Sequence, residues 1–370
     1  MRCKMNDLEM SRKEITRIDE EMAKLFEARM KAAEKIAEYK KECGLSIKDH
    51  ARETELINRN RKYIDRADVE SYYVQFLRKT IDLSCDFQSR VMHGMRVTYC
   101  GVEGAFAHIA AKHMFPEAEL VAFSNFSDAY AAVERGEYDC AVLPLENSYA
   151  GEVGTVMDLI FSGELYVNQV IDLPIVQNLI GTENATLDTV KTVVSHPQAL
   201  DQCEEYLHRH GYKTEAYSNT ALAALHVKEL NDPSVAAIAA DEASSIFGLR
   251  VLDSEINDSK NNTTRFAALS RAQNRPVSTG KREDENFILV FTVQNEAGSL
   301  AQTLNIIGAH GFNMRNLRSR PMKDLQWNYF FYIEAEGNIN TENGRDMLRE
   351  LSAICAKLKL VGTYYANNVG

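Results

Sequence analysis

One uninterrupted helical pattern covers residues 8–42 and constrains the fold more than any other feature of the chain. Apolar or small side chains recur there in alternating steps of three and four residues: Leu8, Ser11, Ile15, Ile18, Met22, Leu25, Ala32 and Ile36. At 1.5 Å per residue, such a helix is about 50 Å long, more than a small domain can cover alone. We therefore expect the segment to pair with a second copy of the chain, in a homodimer or a higher homo-oligomer.

Two shorter helices are predicted to follow. Gly44 ends the long helix. Asp49 can cap a second helix that extends to about Ile64, and Asp68 a third that extends to about Met92. Polar residues interrupt the apolar faces of all three helices, namely Arg29 and Lys40, then Arg52 and Glu53, then Ser84 and Gln88.

The cations of this set require a partner of opposite charge. Buried charges cost several kcal/mol unless they are paired, and Glu53 alone cannot neutralise three cations. A bound dianion can. Arg12 lies about 25 Å from Arg29 along the helix, so it can join the same site only from the other subunit.

At these positions the segment resembles the all-helical chorismate mutase family. The matching residues are Arg12, Arg29, Lys40, Asp49, Arg52, Glu53, Ser84 and Gln88. The resemblance implies that the three arginines bind the two carboxylates of chorismate, with Arg12 coming from the partner chain. It also implies that Lys40 and Gln88 donate to the ether oxygen and that Asp49, Glu53 and Ser84 belong to the substrate site. Preorganised donors suffice for this pericyclic rearrangement, so no cofactor or metal is expected.

Residues 96–271 alternate strand-like and helical runs, which is typical of an α/β sheet. The long apolar run 165–180 can cross between two lobes and leave a cleft. Three polar loops lie at the edges of strand-like runs: Pro144–Ser148, Ser195–Gln198 and Asn261–Phe266. Because ligands of open α/β sheets bind at strand ends, we expect these loops to hold one small polar substrate.

The usual signatures of cofactors and metals do not accompany these loops. Gly101-Val102-Glu103-Gly104 is not a dinucleotide loop, and the chain has no Walker-type lysine motif. The seven cysteines form no CxxC pair, which favours reduced thiols in a cytoplasmic protein over a zinc site. Residues 96–282 hold 14 Lys/Arg against 25 Asp/Glu, so a nucleic-acid partner is not expected. No apolar run is long enough for a membrane span.

The three loops, with Thr264-Arg265-Phe266 as the signature, resemble the prephenate dehydratase family. The resemblance implies a two-lobed cleft in which Thr264, Glu146, Asn147 and Gln198 are catalytic or positioning groups. We expect Thr264 to donate to the leaving hydroxyl and Glu146 to hold the proton. We expect Asn147, Ser148 and Gln198 to orient the substrate, and Arg265 to bind a carboxylate.

A polar linker, residues 272–285, precedes a βαββαβ pattern of the ferredoxin-like type. This last segment resembles the ACT domain, which binds phenylalanine in such enzymes. The matching residues, expected to be regulatory, are Gly298, Ser299, Leu300, Asn313, Ser319, Arg320 and Pro321. Arg318 and Ala297 stand where the family usually has glutamate and proline.

The sequence therefore predicts a multidomain chain: an all-α mutase domain that dimerises (1–94), a two-lobed α/β dehydratase domain (95–271), the linker (272–285) and an ACT domain (286–370). The predicted function is a cytoplasmic bifunctional chorismate mutase/prephenate dehydratase of phenylalanine biosynthesis, with L-phenylalanine as the effector. Arogenate is the alternative substrate, disfavoured because the mutase product would be used directly. A non-catalytic solute-binding protein is the alternative of a different class.

Overall fold

Three helices form the first of two units, residues 1–95. The structure, a computed structural model, describes residues 2–273, 285–322 and 329–368. The helices are α1 (Arg2–Cys43), α2 (His50–Arg61) and α3 (Ala67–His93). Gly44 ends α1 in the left-handed region (φ +64°), where glycine is free of Cβ strain. Within the described ranges, none of the helices has the length and apolarity that crossing a membrane would require.

The three predicted helices are present, although α1 begins at Arg2 rather than near residue 8 and α2 ends at Arg61 rather than near Ile64. The Asp49 side chain accepts a hydrogen bond from Arg52 N at 3.0 Å and so caps α2. The predicted Asp68 cap is wrong, because α3 begins at Ala67 and Arg66 occupies the N-cap position. Asp68 lies in the first turn, where its charge still favours the helix N-terminus.

Much of the apolar face of α1 has no cover within the single chain. Ala33 and Ala37 are buried on α1, as are Leu77 and Ile81 on α3. By contrast, Leu25 is 70% exposed, and several other large apolar side chains of α1 are also exposed, including Leu8, Met10, Ile15, Ile18 and Ile36. A helix with so wide an uncovered apolar face is not stable by its own packing.

The second unit, residues 96–370, begins with a lobe built on a mixed sheet. Its elements are β1 (Arg96–Cys100), α4 (Phe106–Met114), β2 (Glu119–Phe123), α5 (Phe126–Glu134), β3 (Cys140–Asn147), β4 (Gly151–Glu152), α6 (Gly154–Ser162) and β5 (Tyr166–Pro174). The chain then forms a second lobe and returns to the first sheet through β11 (Thr263–Ser270), which pairs with β3 and β5.

The second lobe has its own five-stranded sheet in the order β10-β6-β9-β7-β8. Its elements are β6 (Asn178–Gly181), β7 (Thr192–Ser195), α7 (Pro197–Asp201), α8 (Glu204–His210), β8 (Lys213–Ala216), α9 (Thr220–Leu230), β9 (Val235–Ala239), α10 (Asp241–Phe247) and β10 (Arg250–Asp253). The run 165–180 crosses between the lobes as predicted, since β5 lies in the first sheet and β6 in the second.

The C-terminal segment, residues 285–368, has the predicted βαββαβ order. Its elements are β12 (Glu285–Thr292), α11 (Ser299–Ala309), β13 (Asn313–Pro321), β14 (Tyr329–Glu336), α12 (Glu342–Ile354) and β15 (Lys357–Asn368). Strand β15 pairs in parallel with β5, so the first sheet continues into this segment in the order β13-β14-β12-β15-β5-β11-β3-β1-β2. Most of the predicted linker, residues 274–284, lies outside the described residues, and the proposed domain boundaries stay predictions.

Alternation along β12 buries the C-terminal segment on both faces. Phe287, Leu289 and Phe291 pack with the two helices of the segment. Ile288 and Val290 point the other way and join the core of the first lobe. The segment and the first lobe are therefore held together by a shared sheet and by a shared core.

The first prediction concerns Gly362, where β15 packs against the backbone of β5. A Cβ on Gly362 would overlap the carbonyl group of Val167. Gly362→Ala should therefore lower the free energy of unfolding of the second unit by about 1–3 kcal/mol, as overpacking does. Gly308→Ala in α11 is the matched control, because nothing lies within 4 Å of an added Cβ there. Equal melting curves for the two variants in calorimetry would contradict the β15–β5 pairing.

Candidate active sites

A cluster of buried polar side chains lies between α1 and α3. The guanidinium of Arg29 donates through Nη1 to Thr80 O at 3.1 Å and to Ser84 Oγ. Ser84 and Gln88 are both buried, one helical turn apart on α3. Burial lowers the pKa of Arg29. The structure thus brings together three residues that the sequence assigned to one site.

Gln88 lacks a partner for half of its amide. Its Nε2 donates to Ser84 O at 3.2 Å, whereas Oε1 is buried without a hydrogen-bond partner. An unpaired buried polar atom costs about 1–3 kcal/mol. Turning the amide loses the contact to Ser84 O and brings Oε1 toward that carbonyl oxygen, so a ligand that accepts from Nε2 must offset both.

Lys40 and Glu53 act electrostatically on the Cys85 thiol of α3. The Lys40 ammonium donates to Ile47 O at 2.6 Å. Burial raises the pKa of Cys85, the Glu53 carboxylate raises it further, and the Lys40 ammonium lowers it. Both charges therefore act on the thiol of Cys85, the residue after Ser84 on α3.

The single chain does not bring the remaining predicted residues to this cluster. Asp49 is the cap of α2, and Arg12 is exposed on α1. The inward placement predicted for Arg52 is wrong for the single chain. Its side chain is 57% exposed and Nη1 pairs with Glu55 Oε2 at 2.9 Å, because α2 has no buried residue to fix which face turns inward.

A second site is a cleft of about 490 Å³ in the second unit, to which both lobes contribute. All three predicted polar loops reach it, through Asn147, Gln198 and Thr264. Asn147 ends β3, Thr264 lies at the start of β11, and Gln198 lies in the first turn of α7. The structure therefore brings together three of the four predicted catalytic residues of this region.

Asn147 is fixed in one orientation by its neighbours. Its Oδ1 accepts from the backbone N–H groups of Tyr149 at 3.0 Å and Ala150 at 2.8 Å. Its Nδ2 must then face the other way, where it donates to Thr264 Oγ1 and to Asn262 Oδ1, both at 2.8 Å. Because Thr264 accepts from Asn147, its own O–H is free to donate elsewhere.

Two loop residues hold the walls of the cleft. His196 is the N-cap of α7, and its Nδ1 accepts from Gln198 N at 3.2 Å. Ser148, predicted to orient the substrate, is not among the residues lining the cleft. Its Oγ accepts from Thr263 N at 2.9 Å and donates to Asn261 O at 2.9 Å, so it ties two loops together.

The predicted placement of Glu146 and Arg265 in the cleft is wrong. Thr264 pairs with Asn147 and Arg265 pairs with Glu146, so the second pair faces the opposite side of the sheet. Arg265 forms ion pairs with Asp172 at 2.8 Å and with the buried Glu334 of β14 at 3.0 Å. Its pKa is raised, chiefly by the hydrogen bond to Asp172. Glu146 forms an ion pair with Arg318 of β13.

Several lining residues were not found from the sequence. Gln177 and Gln202 line the cleft, with Gln177 Nε2 donating to Gln202 Oε1 at 3.2 Å. The first turns or caps of four helices of nine residues or more also line it, through Phe106 (α4), Phe126 (α5), Val153 (α6) and Thr220 (α9). None of the described lining residues is Lys or Arg. The helix starts that follow predicted strands were the available signal.

The residues predicted to be regulatory occupy two places in the C-terminal segment. Gly298 is the N-cap of α11, Ser299 begins that helix, and Leu300 packs against the local core. The others lie on β13: Asn313, Ser319, Arg320 and Pro321. Asn313 Nδ2 donates to Glu336 Oε2 at 3.1 Å. Arg320 forms ion pairs with Glu152 at 3.0 Å and Asp158 at 2.6 Å, so it faces the first lobe.

Three family models match the chain in succession. They are chorismate mutase type II over residues 11–89, prephenate dehydratase over 97–274 and the ACT domain over 287–353. The ranges contain the helical cluster, the cleft and the C-terminal segment respectively.

Similar proteins carry corresponding names. A bifunctional chorismate mutase/prephenate dehydratase of Aquifex aeolicus is 28% identical, over 97% of this chain and 98% of its own. Arogenate dehydratase/prephenate dehydratase 2 of Arabidopsis thaliana is 32% identical, over 73% of this chain and 72% of its own. The crystal structure of prephenate dehydratase from Arthrobacter aurescens, in complex with L-Phe, has a TM-score of 0.67 at 28% identity. It covers 74% of this chain and 90% of that chain.

The ion pairs of Arg265 generate the second prediction. Arg265→Met leaves the buried Glu334 carboxylate without its cation and should lower the free energy of unfolding by about 3 kcal/mol. Arg135→Met is the matched control, because its exposed pair with Glu137 contributes at most about 1 kcal/mol. Calorimetry measures both. An unchanged melting temperature for Arg265→Met would contradict the structural role.

Proposed function

The chain belongs to the bifunctional chorismate mutase/prephenate dehydratase family, and from that premise we propose which of its residues carry out the two reactions. The helical unit isomerises chorismate to prephenate. The α/β region then removes carbon dioxide and water from prephenate to give phenylpyruvate. The product of the first region is therefore the substrate of the second.

In the helical unit, we assign substrate binding to the buried polar cluster. Arg29, held by Thr80 and Ser84, binds a carboxylate of chorismate. Lys40 and Gln88 donate to the ether oxygen, on which negative charge builds as the carbon–oxygen bond breaks. These donors act more strongly on the transition state than on the ground state, which is the requirement for catalysis.

A second subunit completes this site in the proposal. The uncovered apolar face of α1, with Leu25 70% exposed, is the surface that a second copy covers. Arg12 of that copy then reaches the carboxylates, whereas within its own chain it lies too far along the helix. Arg52 must turn from Glu55 toward the substrate, and exchanging an exposed ion pair costs at most about 1 kcal/mol.

The hydrogen bond from Asn147 to Thr264 is the observation that carries the dehydratase assignment. Because Thr264 Oγ1 accepts a hydrogen bond from Asn147 Nδ2, the hydroxyl hydrogen of Thr264 is available to donate to another acceptor. The departing hydroxyl oxygen of prephenate is that acceptor. The bond from the ring to the carboxylate breaks to release carbon dioxide, its electron pair makes the ring aromatic, and the hydroxyl departs as hydroxide, which takes a proton from solvent to become water.

The charge of the substrate is met by backbone groups. Prephenate carries two carboxylates, and the described lining of the cleft offers no Lys or Arg. Four helix N-termini reach the cleft, and each carries a partial positive charge. This arrangement binds an anion without fixing a full positive charge on the carboxylate that must depart.

The proposal extends to regulation and location. The ACT domain senses L-phenylalanine, a ligand named for the similar Arthrobacter enzyme. Prephenate is preferred over arogenate because the chain makes prephenate itself. A cytoplasmic location is supported by the free thiols of Cys43, Cys85, Cys100, Cys140, Cys203 and Cys355.

Thr264→Val tests the dehydratase site. The change keeps the shape but removes the O–H, and it should lower kcat for phenylpyruvate formation about 100- to 1000-fold. Thr263→Val, at the neighbouring position, is the matched control because it is not among the lining residues. Absorbance of phenylpyruvate and loss of chorismate report the two activities. Mutase activity should be unchanged, and a parallel loss of both activities in folded protein would contradict separate sites.

Mixed dimers test the shared mutase site. Arg12→Ala and Arg29→Ala chains should each be inactive alone as mutases. Mixed dimers should regain activity, because one of the two pockets then contains both arginines. The mixed species is purified by two affinity tags and assayed for loss of chorismate. Verified mixed dimers without any recovery would show that each pocket is built from one chain.

A further inference from the structure

Two carboxylates lie directly opposite each other beside the cleft. Strands β3 and β4 pair antiparallel with Glu146 opposite Glu152 and Asn147 opposite Gly151. Strand β4 has only two residues. Like charges opposite each other destabilise a strand pair. A strand pair of only two residues therefore requires cations that neutralise the two carboxylates.

Both cations come from one strand of the ACT domain. Arg318 of β13 forms an ion pair with Glu146 and lies 3.8 Å from Glu152. Arg320, two residues later, pairs with Glu152 and, through two hydrogen bonds, with Asp158 of α6. The four charged side chains around the strand pair are between 22% and 30% exposed. Solvent therefore screens them only in part.

Arg318 holds the more critical place of the two. It is the one ion-pair partner of Glu146 among the described residues. Arg320 keeps Asp158 as a partner even without Glu152. Removal of Arg318 therefore leaves Glu146 facing Glu152 without an ion-pair partner, because Arg265, opposite Glu146 on β11, is already paired with Asp172 and Glu334.

The strand pair forms a wall of the substrate cleft. Residues 150–153, which include β4, line the cleft, and so does Asn147 at the end of β3. The backbone N–H of Ala150 fixes the Asn147 amide, which in turn holds Thr264. Loss of the β3–β4 pair therefore frees the amide that orients the Thr264 hydroxyl.

We propose that Arg318 is a positioning residue of the dehydratase site, which holds β4 against β3 by neutralising Glu146 and Glu152. The proposal rests on the assignment of this cleft to prephenate. Arg318 contacts no substrate in this role. It acts through the strand pair on Asn147 and Thr264, so it makes a side chain of the ACT domain a part of the active-site support.

The test compares four variants of the full chain with the parent protein. Arg318→Met removes the cation and keeps most of the stem, and Arg318→Lys restores the charge. Arg318→Met with Glu152→Gln removes one of the two opposed carboxylates as well. Arg349→Met removes an exposed arginine of the same domain, paired only with Asp346 in the described structure, and is the control.

Steady-state kinetics with prephenate give the first readout. Arg318→Met should lower kcat roughly 10- to 100-fold, as displaced catalytic groups do, with a smaller change in KM. Arg318→Lys and the double variant should both recover most of kcat, since either change relieves the repulsion between Glu146 and Glu152. Chorismate mutase activity should be unchanged in all variants. An unchanged kcat in Arg318→Met, or no recovery in the folded double variant, would overturn the proposal.

Amide hydrogen exchange of the 146–153 region gives a second readout that does not depend on activity. Exchange should be faster in Arg318→Met and return to the parent rate in the double variant, while Arg349→Met has no effect. If Arg318→Met does not fold, the other two variants test the proposal. A parent-like kcat and exchange rate in Arg318→Lys and in the double variant supports it, and a low kcat with fast exchange in the folded double variant overturns it. A parent protein that leaves prephenate unchanged would refute the assigned function, whereas unaltered exchange in Arg318→Met would refute the role of Arg318.

Discussion

The pairing of β11 with β3 is the interaction on which the second unit depends. It places Thr264 opposite Asn147 and, one residue further, Arg265 opposite Glu146. Neighbouring residues of a strand face opposite sides, so the first pair faces the cleft and the second faces the ACT domain. A shift of one residue would exchange the two pairs. The same backbone hydrogen bonds therefore set the geometry of the proposed catalytic pair and the contact with the ACT domain.

The sequence could predict the loops of this site but not the faces of their residues. Polar residues at the ends of apolar runs can be read from the sequence, and the ends of neighbouring strands lie close together in the folded sheet. In a regular strand, however, residues i and i+2 share a face, so Glu146 is expected on the same side as Pro144, toward the cleft. The register shifts between Arg265 and Phe266, where Pro144 pairs with Phe266 and Glu146 with Arg265, so Leu145 is an extra residue. A β-bulge of this kind re-aims a strand. Pro144, which has no N–H to donate within the sheet, was the signal in the sequence for it.

The helical unit was predictable where one helix faces another within the same chain. Ser84 and Gln88 follow from the helical period alone, and Arg29 meets them because α1 packs against α3. The orientation of Arg52 could not be predicted, because α2 buries no residue in the single chain. A helical period indicates which side chains share a face, but only a packing partner decides which face turns inward. For α2 and for the outer face of α1, the described part of the single chain supplies no such partner.

The charges on β13 join the ACT domain to the wall of the proposed dehydratase cleft. Arg320, which the resemblance assigns to effector binding, is already engaged by Glu152 and Asp158. A ligand that binds Arg320 must therefore compete with these carboxylates. By thermodynamic linkage, the free energy by which the carboxylates weaken ligand binding equals the free energy by which the ligand weakens the ion pairs that hold β4. Arg318 limits this coupling, because it continues to neutralise Glu146 when Arg320 is withdrawn. A glutamate at position 318 would instead add a third negative charge beside Glu146 and Glu152. In this proposal, the sign of the charge at position 318 thus determines how strongly ligand binding at Arg320 changes the orientation of Asn147 and Thr264.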